Sequence, residues 1–192
     1  MRPPWLAALA LCLALPLDAG SEPTTGPLEI GASMPDFEVT SLEGQPLSLQ
    51  SAVGAHKAVV VVFLSTVCPY AQYFARHLRE LGDTYGPRGV FFVGIYGNNW
   101  ESQEEVVEDV RQHEFPFAVA KDEGHHVADR LGAERTPEAF LVDHAGRLRY
   151  RGWVKSKKES PDLQRALDAV LDGRRVSKPL TKAFGCAVDR AE

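Results

Sequence analysis

Residues 58–65, AVVVVFLS, put four valines in a row inside an uninterrupted apolar run. A strand with one wet face alternates apolar and polar residues, so an unbroken run is what a strand covered on both faces requires. The rest of the chain must then supply a layer on each side. Two further strands follow, GVFFVGIYG over 89–97 and FPFAVAKD over 115–122. Helical patterns separate them. From Pro69 to Tyr85, residues Ala71, Phe74, Ala75, Leu78 and Leu81 fall on one stripe, with Gln72, Arg76, Arg79 and Glu80 opposite. After Asn98 and Asn99, which suit a turn, Ser102 and Glu105 have the spacing of a capping box. This alternation predicts an α/β fold: a central mixed, mostly parallel sheet with right-handed crossovers and helices on both faces.

The remaining elements fit around that sheet. MPDFEVTSLEGQPLSL, 34–49, alternates about EGQP and predicts an N-terminal hairpin. A short helix in HHVADRLGA leads to ERTPEAFLVD, a turn and another strand in HAGRLRYRGW, the solvated basic loop WVKSKKES, and a last helix over 160–173. Ser160 is its expected cap, before Pro161. Residues 1–20 begin with Arg2 and continue as an apolar run from Trp5 to Leu15, too short for a stable span, so they read as an export signal. Cys12 lies within it, and the preceding Leu11 argues against a lipid anchor there. The expected organisation is therefore a leader, a flexible lead-in over 21–30, one domain over 31–173 and a tail over 174–192. The mature chain is expected outside the cytoplasm with no membrane span. A net charge of −5 argues against nucleic acid or an anionic membrane surface as a partner.

Chemistry concentrates where the first sheet strand meets the first long helix, in STVCPYAQYF, 65–74. Reactive groups in such sheets gather at the carboxyl ends of strands, and Cys68 lies at one. There it meets the unpaired amides and positive dipole end of a helix, which favour thiolate over thiol. Pro69 suits the first helical turn, and Tyr70 is a candidate wall of a substrate groove. The other reading of Cys68 is a small buried apolar residue. A second signal is RTPEAFLVD, 135–143, where Pro137 precedes a strand whose ladder it cannot join; a cis Thr136–Pro137 bond is one role for it.

Strand, TVCP at a helix start, then TPEAFLVD with a turn and strand, together resemble the thioredoxin superfamily. The hairpin segment narrows the resemblance to redoxin domains, the group joining TlpA-like thiol oxidoreductases and the AhpC/TSA peroxiredoxins, over residues 30 to 155. The resemblance implies a thioredoxin fold, a nucleophile at Cys68 and a cis-proline at Pro137 that receives an extended substrate. No cofactor and no metal are expected: thioredoxin-fold copper chaperones pair two cysteines near the first helix, and here Cys68 stands there alone. Adjacent His125 and His126 are expected to be exposed rather than ligating.

This sequence departs from those patterns in two places. A thioredoxin dithiol would need a cysteine at 71, where Ala71 stands. The peroxiredoxin pattern asks for a proline seven residues before the cysteine and a threonine three before it; here stand Val61 and Ser65, with Thr66 one place late. Thr66 is retained as a substrate-side candidate, and Arg135 as a charge that stabilises the Cys68 thiolate or a peroxide oxygen. Cys186, in KAFGCAVDR, is the candidate resolving thiol that releases a mixed disulfide or a sulfenic acid. Alternatively a permanent Cys68–Cys186 bridge pins the tail and contributes ~4–5 kcal/mol in the chain-entropy model. Three functions stand. The first is thiol–disulfide exchange with a protein or small thiol, fed by an external thiol reductant. The others are peroxide reduction and a non-catalytic interaction domain.

Overall fold

The computed structural model describes residues 28–155 and 161–190. The expected leader with its Cys12, and the expected cap Ser160, lie outside those residues. A five-stranded sheet forms the centre, in the order β5 (Ala118–Lys121), β4 (Val90–Tyr96), β3 (Ala58–Leu64), β7 (Glu138–Asp143), β8 (Leu148–Gly152). The valine run is the middle strand, and all seven residues of β3 are buried. Its alternate side chains serve opposite layers. Ala58, Val60, Val62 and Leu64 pack with α2 (Pro69–Tyr85), α3 (Gln103–His113) and α5 (Asp162–Leu171). Val59, Val61 and Phe63 pack with α1 (Leu49–Ala55), α4 (His126–Leu131) and the hairpin of β1 (Glu38–Thr40) and β2 (Pro46–Ser48). Each fully covered valine removes its side chain from water on whichever face it meets, for ~1.5–3 kcal/mol apiece.

The sheet is more evenly mixed than the βα alternation predicts. β3 pairs with β4, and β4 with β5, in parallel, but β3–β7 and β7–β8 are antiparallel. After α4 the chain re-enters the sheet from the opposite end and turns straight back through residues 144–147, so no crossover helix is needed there. The capping box at Ser102 and Glu105 is formed. The last helix starts at Asp162 with Pro161 at the cap position.

The tail, which has no sequence period, is seated along the molecule. Its first part lies beside edge strand β8: the Arg151 amide donates to the Pro179 carbonyl and the Thr181 amide to the Arg151 carbonyl, both at 2.9 Å. The fit is close, because a Cβ on Gly152 would lie 2.0 Å from Thr181 Oγ1. Its last part forms β9 (Cys186–Ala187), antiparallel to β6 (Arg135–Thr136), with Thr136 opposite Cys186. Val188 then enters the core on the α4 side.

Candidate functional site

β3 ends at Leu64, and after residues 65–67 the chain enters α2 with Cys68 as its N-cap and Pro69 in the first turn. The Cys68 carbonyl accepts the first helical hydrogen bond from the Gln72 amide at 3.0 Å. The Thr136–Pro137 peptide is cis, and the carbonyl of Thr136 faces Cys68 Sγ at 2.9 Å. From the other side the β6–β9 pairing brings the Cys186 amide to 3.4 Å from the same sulfur. Cys68 is fully buried, Cys186 half-buried, and both are free thiols.

These neighbours treat the two protonation states of Cys68 differently. As a thiol it donates to the Thr136 carbonyl; as a thiolate it accepts from the Cys186 amide. Burial alone raises its pKa, but the Cys186 thiol, with smaller contributions from Thr136 and the amides of Ala71 and Cys186, draws it below the ordinary 9.0. Cys186 moves the other way. Burial and its hydrogen bond to Cys68 push it up to about 11, against a smaller downward pull from Arg135. When the pair gives up one proton, Cys68 therefore loses its own first and Cys186 keeps its own.

A shell of buried polar groups fixes the two loops that meet at Cys68. Glu101, fully buried, accepts from the Thr66 amide at 2.6 Å and the Thr66 hydroxyl at 3.0 Å, while its Oε2 has no partner among the described residues. Gln72 donates to the Thr66 carbonyl at 2.9 Å and to Asp109 Oδ1 at 2.7 Å, and Asp109 in turn receives the Tyr96 hydroxyl. On the prolyl side, Glu138 accepts from the amides of Glu134 and Arg135 at 2.8 and 3.2 Å. Its other oxygen pairs with Arg151 Nε at 2.7 Å in a buried ion pair. None of Glu101, Gln72, Asp109, Glu138 and Arg151 stands out in the sequence as a site residue. Each acts on a partner distant along the chain or through a backbone amide, so no local spacing marks it.

Of the residues expected at the site, Cys68, Pro69, Thr136, Pro137 and Cys186 are brought together, with Tyr70 beside them in the first turn of α2. Tyr70 stands edge-on to Phe184, with centroids 4.6 Å apart. Two others are placed differently from expectation. The Thr66 hydroxyl is engaged by Glu101. Arg135 is exposed, and its charge acts on Cys186. His125 corrects the expectation of an exposed histidine pair: it is buried, with Nε2 2.6 Å from the Asp189 carbonyl, whereas His126 is exposed. Asn98 is more than a turn residue, being buried and accepting from the Asp189 amide at 2.9 Å. Both corrections have the same physical cause, a tail that returns over this end of the sheet.

Residues 30–151 match the AhpC/TSA family. Among curated proteins, the thiol-disulfide oxidoreductase ResA of Bacillus thuringiensis subsp. konkukian is 31% identical over 121 residues, covering 63% of this chain and 68% of that protein. Peroxiredoxin Bcp of Bacillus subtilis is 24% identical over 144 residues, covering 68% of this chain and 87% of its own. A hypothetical protein of Sinorhizobium meliloti 1021 superposes with a TM-score of 0.78 at 28% identity, over 85% of this chain and 95% of that one.

Proposed function

The chain belongs to the AhpC/TSA family, and within it we propose that it is a thiol–disulfide oxidoreductase with Cys68 as nucleophile and Cys186 as resolving thiol. The observation that carries this reading is the pairing of Thr136 with Cys186 across β6 and β9, which sets the second cysteine against the first beside the cis-proline loop. The Cys68 thiolate attacks one sulfur of a substrate disulfide; a Cys68–substrate S–S bond forms, the substrate bond breaks, and its second sulfur leaves as thiolate. Cys186, on giving up its proton, attacks Cys68 Sγ. A Cys68–Cys186 bond forms and the substrate leaves as its second thiolate, having gained two electrons in all. An external thiol reductant restores the dithiol.

Similarity to ResA supports exchange, and the site supports it over peroxide reduction. Position 61, where the peroxiredoxin pattern has proline, lies inside β3 opposite Val93 and Phe140. The one arginine expected to steady a peroxide oxygen, Arg135, acts on Cys186 instead. The basic, apolar start of the chain supports action outside the cytoplasm. Among the described residues no helix is long and apolar enough to cross a membrane.

The test is a single-turnover thiol count on reduced protein mixed with insulin or with hydrogen peroxide, with Cys68→Ser as control. Loss of both thiols to insulin, matched by new insulin thiols and absent in the control, is expected. Loss to peroxide without any to insulin would overturn exchange in favour of peroxidase chemistry.

A further inference from the structure

The tail that carries Cys186 lies over Cys68 as a substrate would have to lie, and its contacts describe what the site accepts. β6 is a two-residue strand whose partner among the described residues is β9. The tail extends this contact, with the Val188 amide donating to the Glu134 carbonyl at 3.0 Å. Cys68 is fully buried and the Cys186 amide stands 3.4 Å from its sulfur, so a polypeptide that exchanges with Cys68 approaches along the edge the tail covers. A segment doing so meets the same edge and can make the same backbone hydrogen bonds.

Two side-chain positions add selectivity to that edge. Two residues before Cys186, the ring of Phe184 is edge-on to Tyr70, with centroids 4.6 Å apart, and stacked on Trp153 at 5.8 Å. These rings come from α2 and from the end of β8, so the seat is built by the body of the protein. One residue before Cys186, Gly185 has φ +157°, and a Cβ there would lie 2.0 Å from the Thr136 carbonyl oxygen. The wall is backbone and cannot yield as a side chain would.

Resting on the reading of Cys68 as the exchanging thiol, we infer that this groove is a peptide-binding site for extended polypeptides with an aromatic residue two positions before the cysteine and glycine immediately before it. The tail is its tethered competitor. Substrate backbone and tail exclude one another along this edge, so the polypeptide docks when the tail lifts; the returning tail displaces it from the edge while it is still bonded to Cys68, and Cys186 then attacks Cys68 Sγ from the side opposite the substrate sulfur.

The test titrates a fluorescein-labelled peptide, Lys-Ala-Phe-Gly-Ser-Ala-Val-Asp, against the full chain, the full-chain Phe184→Ala variant and the full-chain Gly185→Ala variant. A second peptide carries alanine in place of phenylalanine. Both variants loosen the tail and leave the Tyr70–Trp153 seat intact. They are expected to bind the phenylalanine peptide about tenfold more tightly than the parent chain, and the alanine peptide about tenfold less tightly than the phenylalanine one. Gly185→Ala carries the comparison alone should Phe184→Ala fold poorly. Equal binding of the two peptides, or no gain on loosening the tail, overturns the inference. Reaction of the same samples with a small aromatic disulfide separates the two levels. A reactive Cys68 with no peptide discrimination sinks the groove but leaves exchange standing, whereas an unreactive Cys68 sinks both.

Discussion

At the residue scale, the two cysteines differ in what they do with a proton. Cys68 is drawn below 9.0 by its donors despite burial, while burial and Cys68 itself push Cys186 up to about 11. Replacing Cys186 with alanine removes the donor that contributes most to lowering Cys68. The pH midpoint for iodoacetamide alkylation of Cys68 is therefore expected to move upward in Cys186→Ala. An unchanged midpoint would mean that Thr136 and the amides of Ala71 and residue 186 set the thiolate without the Cys186 thiol. The raised Cys186 also bears on stability. A thiol whose folded pKa lies above its unfolded one contributes stability that is present below 9.0 and lost as pH rises towards about 11. Urea unfolding of the reduced protein across that window should show this loss, and Cys186→Ser should lack it.

At the element scale, β6 is held by groups outside itself. Removing one member of the buried Glu138–Arg151 pair leaves a charge in a dry place, at a typical cost of ~3–5 kcal/mol. Arg151→Met is expected to lose about that much in urea unfolding and to loosen the loop that faces Cys68. A loss below ~1 kcal/mol would mean the pair does not support this loop. A milder change, Ser102→Ala, removes half of the α3 capping box and should cost ~1 kcal/mol, read as a lowered melting temperature. What the sequence made legible divides along the same line. β3 and α2 announce themselves because a doubly covered strand and an amphipathic helix each repeat a local pattern over many residues. Cys68 was legible because it stands where those two patterns meet. Glu101 and Glu138 were not, since their partners are backbone amides or residues far along the chain. β9 is only Cys186–Ala187, too short to carry a period, and the burial of His125 depends on a carbonyl 64 residues away.

At the scale of the whole molecule, the sheet brings three distant segments to one end: the helix start at 68, the prolyl loop at 136–137 and the tail at 184–189. The tail brings its cysteine to Cys68 across a sequence separation of 118. A bond formed there restrains the unfolded chain, so the oxidised protein should be more stable than the reduced one by up to ~4–5 kcal/mol. The same bond has to be broken in every turnover, and this separates a catalytic couple from a permanent bridge. The decisive measurement is the reduction potential of the Cys68–Cys186 couple, taken by equilibrating the full chain with glutathione and quantifying free thiols. A potential above about −300 mV is expected for a couple that turns over, and one below it would identify a structural bridge and contradict the enzymatic account.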